Sequence, residues 1–158
     1  MMPIRVVAIA TKLAERVRQE MKSPGYGHPA HVEVATGYGP CRHCLRAFKI
    51  GEERRILFTL DPFFGIESVP LPGPVFIHAE PCQRYAEDAG LPKESGADSL
   101  TLVAFARGRR QLAEEHVAVE QAESWIDRLL ARSDVDYIHV RDKQAGCYDF
   151  RVERQAKG

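Results

Sequence analysis

The chain has no excess of either charge. Its 158 residues hold 22 Lys and Arg against 22 Asp and Glu, which argues against a nucleic-acid binder that works by neutralising many phosphates. Arg107-Gly108-Arg109-Arg110 is the only dense basic cluster, and four residues make a turn more readily than a groove. Long apolar runs are missing too. Val6 to Ala10 is too short for a signal peptide or a membrane span, so the cytoplasm is the expected compartment and no membrane contact is expected. No repeat, low-complexity stretch or change of composition divides the chain. With 44% hydrophobic and 28% charged residues, it reads as one globular domain over residues 1–158. That length buries a core that needs neither disulfides nor metal simply to stay folded.

Crossover helices are also scarce. Ile4 to Ile9 reads as a strand, and Thr11 to Lys22 as a helix with Leu13, Ala14, Val17 and Met21 on one stripe. Strands are expected at His31–Val34, Arg54–Leu60, Val75–Ile77, Ser99–Arg107, a segment ending at Val117–Val119, Val135–Val140 and Cys147–Val152. The last two are joined by a hairpin over Arg141–Gly146. A loop is expected around Pro70 to Pro74. A second helix from about Glu120 to Arg132 carries Ala122, Trp125, Ile126, Leu129 and Leu130 on its apolar stripe. Pro81 to Ala89 suits a short helix, since proline is tolerated in a first turn. So few crossovers exclude a doubly wound parallel sheet. The expected class is α+β, with a mostly antiparallel sheet, two main helices and the short helix after the His-x3-Cys motif.

Cysteine is sparse, four residues in all, yet three of them fall in two compact motifs. Cys41-Arg42-His43-Cys44 is answered by His78-Ala79-Glu80-Pro81-Cys82. Two residues between the paired cysteines let both thiolates point at one ion from a tight turn. Three residues between His78 and Cys82 put both on one face if Pro81 opens a helix. In a reducing compartment such cysteines are ligands or catalytic thiols rather than disulfides.

Other segments extend the pattern. Tyr38-Gly39-Pro40-Cys41-Arg42-His43-Cys44-Leu45, Gly51-Glu52, Gly73-Pro74-Val75-Phe76-Ile77-His78-Ala79, Cys82 and Gly146-Cys147 occur in that order across nearly the whole chain. Together they resemble the bacterial family catalogued as domain of unknown function 1203. The resemblance implies a compact single domain and carries no activity with it.

Three chemistries use these residues differently. As a zinc site, Cys41, Cys44, His78 and Cys82 form a Cys3His set with no open position, hence a structural zinc. The order of turn, hairpin-like chain and helix start resembles the layout of treble-clef zinc modules. His43 could replace a ligand, and Cys147 could be recruited from the C-terminal hairpin. As an enzyme acting on a small molecule, Cys41 or Cys82 would be the nucleophile and His78 the base. Arg42 would then lower the thiol pKa or grip an anionic substrate, but no third residue that orients the histidine is visible. As a metal-free binding module, Arg42, Tyr38, Arg107 and Arg141 would grip a small anion or a partner. Gly37-Tyr38-Gly39 lacks the third glycine of a nucleotide loop, and Cys41 to Cys44 lacks the strand and helix that frame a thioredoxin-like dithiol. The bland alternative is that Cys41 and Cys82 are simply buried apolar residues. His139, between Ile138 and Val140, is expected to pair with Arg141 or the neighbouring strand.

Overall fold

The computed structural model describes residues 3–66, 72–142 and 146–155. Its eight strands and two helices run β1 (Ile4–Val7), α1 (Thr11–Glu20), β2 (His31–Val34), β3 (Arg54–Leu60), β4 (Gly73–His78), β5 (Ser99–Phe105), β6 (Gln111–Ala118), α2 (Ala122–Ala131), β7 (Tyr137–Asp142) and β8 (Tyr148–Arg154). The class is mixed α+β, as expected, but the strands divide between two antiparallel sheets rather than one. Five strands lie in the order β1-β8-β7-β5-β6, and three in the order β2-β3-β4. The tip of the expected β7–β8 hairpin and residues 70–71 of the expected loop lie outside the described residues, while Gly73 and Pro74 belong to β4 rather than to a loop.

The larger sheet is covered on both faces, which is why every residue from Leu100 to Phe105 is buried. On one face Leu102, Ala104, Ile138, Val140 and Val152 pack against Ile126, Leu129 and Leu130 of α2. On the other, the turn after β3 inserts Phe63 against Val103, Phe105 and Tyr137. The smaller sheet packs Ile56, Phe58, Val75 and Ile77 against Ala14 and Val17 of α1. Helix α1 stops at Glu20 because Met21 takes a left-handed conformation, φ 51°, while its amide still bonds to the Val17 carbonyl.

Residues Pro81 to Ala89 do not form the expected helix. Apart from a local turn in which the Ala89 amide donates to the Ala86 carbonyl, their main-chain hydrogen bonds go to other segments. The Tyr85 amide donates to the His43 carbonyl at 3.0 Å, and the Glu87 carbonyl accepts from the Val6 amide at 3.0 Å. Arg84 caps the carbonyls of Ala8 and Ile9. The result is an irregular strap from the end of β4 to the edge strand β1, where tertiary pairing outcompetes a weak local helix signal. No helix among the described residues is long and apolar enough to cross a membrane.

His139 lacks the partner expected from the sequence. It is fully buried, and neither ring nitrogen meets a donor or acceptor among the described residues. Its ring lies among Phe63, Phe105, Tyr137 and Tyr148, with centroids 4.7 to 5.3 Å away. Burial, reinforced by the charges of Arg141 and Arg151, lowers its pKa from 6.5 to about 3. Between those values the unfolded chain binds a proton that the folded chain refuses. The stability held by neutral His139 is therefore complete above about pH 6.5 and drains away as pH falls toward 3. His139→Leu should stabilise by about 1 kcal/mol at pH 7, because it removes unpaired buried nitrogens. Its advantage over the parent should widen between pH 6 and pH 4 in urea unfolding. Parallel pH profiles for the two proteins would show that His139 does not control acid sensitivity.

Candidate metal centre

The site begins with a closed turn. The Cys41 amide donates to the Arg46 carbonyl at 3.0 Å, and the Leu45 amide donates back to the Cys41 carbonyl at 2.8 Å. Closing it places Leu45 at φ 62°, an uncommon conformation for a branched residue. Leu45 is 1% exposed and packs into the core of the larger sheet, while Cys41 and Cys44 pack with the smaller one. Burial offsets the backbone strain. The chain reaches the turn through Gly39, φ 146°, where an added Cβ would stand 3.3 Å from the Phe76 ring.

This turn is tied to three neighbouring segments by main-chain bonds. Arg42 N–H donates to the Phe76 carbonyl of β4, the Arg42 carbonyl accepts from Ile9, and the His43 carbonyl accepts from Tyr85 of the strap, each at 3.0 Å. Those three contacts bring the end of β4 and the strap to the cysteine pair. Ligand atoms of Cys41, Cys44, His78 and Cys82 all lie within 4.8 Å of one another. Cys41, Cys44 and His78 are buried, and Cys82 is half-buried. No disulfide links the cysteines.

The distances suit an ion. Tetrahedral zinc with sulfur ligands at about 2.3 Å requires sulfurs about 3.8 Å apart. The Cys41 and Cys82 sulfurs are 3.8 Å apart, and Cys44 Sγ is 3.3 Å from His78 Nδ1. Groups beyond the four complete the arrangement. His78 Nε2 lies 3.1 Å from Glu53 Oε2. A carboxylate only accepts, so Nε2 carries the proton and Nδ1 is the nitrogen turned to the sulfurs. Glu53 is itself held by the Lys49 amide at 2.8 Å. His43, fully buried, sets Nδ1 3.0 Å from Cys82 Sγ and Nε2 3.0 Å from Thr11 Oγ1. A thiolate at Cys82 assigns Nδ1–H as donor and makes the Thr11 hydroxyl donate to Nε2. Arg18 of α1 adds a guanidinium N–H 3.5 Å from the same sulfur and donates to the His78 carbonyl.

Without an ion the cluster sorts its own protons. Burial opposes a charged His78, but hydrogen bonds with the Cys41 and Cys82 sulfurs prevail and raise its pKa to about 10. Hydrogen bonds from Cys41 and Cys44 pull Cys82 far below the usual thiol range. The reverse side of that sharing, hydrogen bonds with Cys41 and Cys82, pushes Cys44 far above it. Buried negative sulfur next to positive nitrogen is a site in which a divalent cation can replace protons.

The other residues singled out by motif go elsewhere. Arg42, adjacent to Cys41, turns away from the cluster. Its Nε donates to the Tyr148 carbonyl at 2.8 Å, its Nη1 to the Pro40 carbonyl at 2.6 Å, and its Nη2 lies 3.0 Å from Asp149 Oδ1. Both charged groups are 2% exposed. Tyr38 joins them, its hydroxyl donating to Asp149 Oδ2 at 3.4 Å. Burial, against the pull of Arg42, pushes the Asp149 pKa up to about 6. Arg141 donates to the Gly146 carbonyl, and Cys147 lies outside the four-residue cluster. A groove of about 1160 Å³ runs beside Cys44, His78 and Cys82, between the turn and the strap, with Lys49, Arg54 and Lys93 among its walls.

Fold and site define a two-sheet α+β protein built around a Cys3His cluster. Residues 38–154 match the family model described as "Protein of unknown function (DUF1203)", and the chain belongs to that family. Neither the curated proteins nor the solved structures gave a match.

Removing one partner of the Arg42–Asp149 pair strands a buried charge. Arg42→Met should therefore cost about 3 to 5 kcal/mol in urea unfolding, and the double variant Arg42→Met/Asp149→Leu should recover much of that loss. A double variant as unstable as the single one would show that Arg42 acts through its carbonyl contacts rather than through Asp149.

Proposed function

We propose that the chain is a small structural zinc module, with Cys41, Cys44, His78 and Cys82 as the four ligands. The observation that carries this is the convergence of four ligand atoms within 4.8 Å from three separate segments, with His78 oriented by Glu53. Carboxylate–histidine pairs of this kind fix the tautomer and raise the basicity of metal-binding imidazoles. Thiolate and imidazole together favour zinc over calcium or magnesium. Four protein ligands leave no position for substrate, so zinc here would hold the turn, β4 and the strap together. The strap continues to β1 through the Arg5–Glu87 ion pair and the Val6 amide. That continuity supports reading residues 1–158 as one domain.

A second reading, a thiol enzyme with Cys82 as nucleophile and His78 as base, is favoured by one observation. Cys82 is the half-buried member of the set and faces the groove. Rapid alkylation of a single cysteine by iodoacetamide in the metal-replete protein would support it, and uniformly slow labelling would remove it.

Elemental mass spectrometry of the purified, untagged protein should find about one zinc per chain, with thiols protected until a chelator is added. Cys41→Ser and Cys82→Ser should each lose the metal and lower Tm by about 10 °C or more. Unchanged Tm in both would reject a structural ion. Glu53→Gln should keep the fold by circular dichroism yet weaken zinc binding about 10- to 100-fold in competition with a chromophoric chelator.

A further inference from the structure

The four proposed ligands are not equally placed. Cys41 is fully buried, and its sulfur accepts the His78 amide at 3.2 Å. Cys44 is 7% exposed and faces the His78 ring. Cys82 alone is half-buried, and it sits on the strap, whose backbone from Pro81 to Ala86 has no regular secondary structure. Its sulfur lies beside the groove, in contact with two N–H donors, His43 Nδ1 and Arg18 Nη2. The Cys41 sulfur is 3.8 Å away, and a disulfide needs about 2.05 Å. The two sulfurs sit on different segments, the turn and the strap, neither of which is a strand of either sheet.

We propose that Cys82 is an oxidation site for peroxides, with Cys41 as its resolving thiol. The proposal rests on the structural-zinc reading for its consequence, release of the ion. The Cys82 thiolate attacks one oxygen of hydrogen peroxide, the O–O bond breaks, and hydroxide departs toward the Arg18 guanidinium. This leaves a sulfenic acid on Cys82. The Cys41 thiolate then attacks the Cys82 sulfur, the S–O bond breaks, and a second hydroxide leaves as the disulfide forms. Two thiolates are oxidised by two electrons, and one peroxide is reduced to two hydroxides. Cys44 and His78 remain, which is half of a four-ligand set. Cys41 and Cys44 share a four-residue turn whose backbone is closed by its own hydrogen bonds. The Cys41–Cys82 pair instead spans turn and strap, with its sulfurs already 3.8 Å apart.

Hydrogen peroxide added to the 158-residue protein as purified tests this. Zinc is read before and after by native mass spectrometry, and disulfides are located by peptide mapping. The expected result is a Cys41–Cys82 disulfide, released zinc in equal amount, and recovery of both on adding dithiothreitol and zinc. A sulfenic-acid trap applied early should label Cys82 about tenfold over Cys44. A Cys41–Cys44 disulfide, stable sulfinic acid on Cys82, or a zinc-loaded protein that keeps all its thiols would overturn the proposal. Zinc absent from the start, with the Cys41–Cys82 bond still forming, would overturn the metal reading and uphold the thiol pair. Cys82→Ser is not needed to read any of these outcomes, so a loss of folding in that variant leaves the test intact.

Discussion

The structure turns on a charge problem. Three sulfurs and an imidazole are packed within 4.8 Å of one another, and three of the four residues are buried. Desolvated thiolates are costly unless something positive or hydrogen-bonding faces them. The protein meets this with several partners at once: the His78 ring, the His78 amide, the His43 N–H and the Arg18 guanidinium. A cluster of plain apolar cysteines would need none of them. The number of donors aimed at the sulfurs is what separates this site from ordinary cysteine burial.

Adjacent residues of the turn serve two different bodies of the fold. Cys41 faces the cluster beside the smaller sheet, whereas Arg42 faces the larger sheet and meets Asp149 and the Tyr148 carbonyl on β8. His43 turns back to the cluster, and Leu45 enters the core against α2's sheet. One short segment therefore sets the position of both sheets. This accounts for the Tyr38–Leu45 segment without assigning Arg42 a ligand. An arginine with its three nitrogens committed to Tyr148, Pro40 and Asp149 is a buried strut, and its value lies in fixed geometry rather than net stability.

Much of this was legible in the sequence, for identifiable reasons. Both helices and most of the strands announce themselves by their apolar pattern; β2 does so without a buried face, since all four of its residues are exposed, and β4 begins at Gly73, two residues before the strand expected from Val75. The four cluster residues were recognisable from spacing alone. What was not legible depends on contacts between distant segments. The strap failed as a helix because its amides and carbonyls were claimed by His43 and Val6. Glu53 carries no motif. Only the register that sets Arg55 opposite His78 reveals it as the diagonal neighbour on that side of the hairpin. Arg18 and Thr11, on α1, become partners of the cluster only once the helix is docked. His139 departs from the sequence expectation for the opposite reason: four aromatic rings stand where a polar partner is expected.

The contrast between His139 and His78 shows how the fold sorts two histidines of equal intrinsic chemistry. Both are buried at β-strand positions. His139 has no hydrogen-bond partner at either nitrogen among the described residues and two arginine charges nearby, so its neutral form prevails. His78 has sulfur on one nitrogen and a carboxylate on the other, so its polarity is used in full. Burial alone thus assigns no role to a histidine here; the groups at its two nitrogens do. By that criterion the Cys3His cluster, with Glu53 behind it, has the donor set to hold a cation, while the larger sheet's buried polar groups serve packing and position.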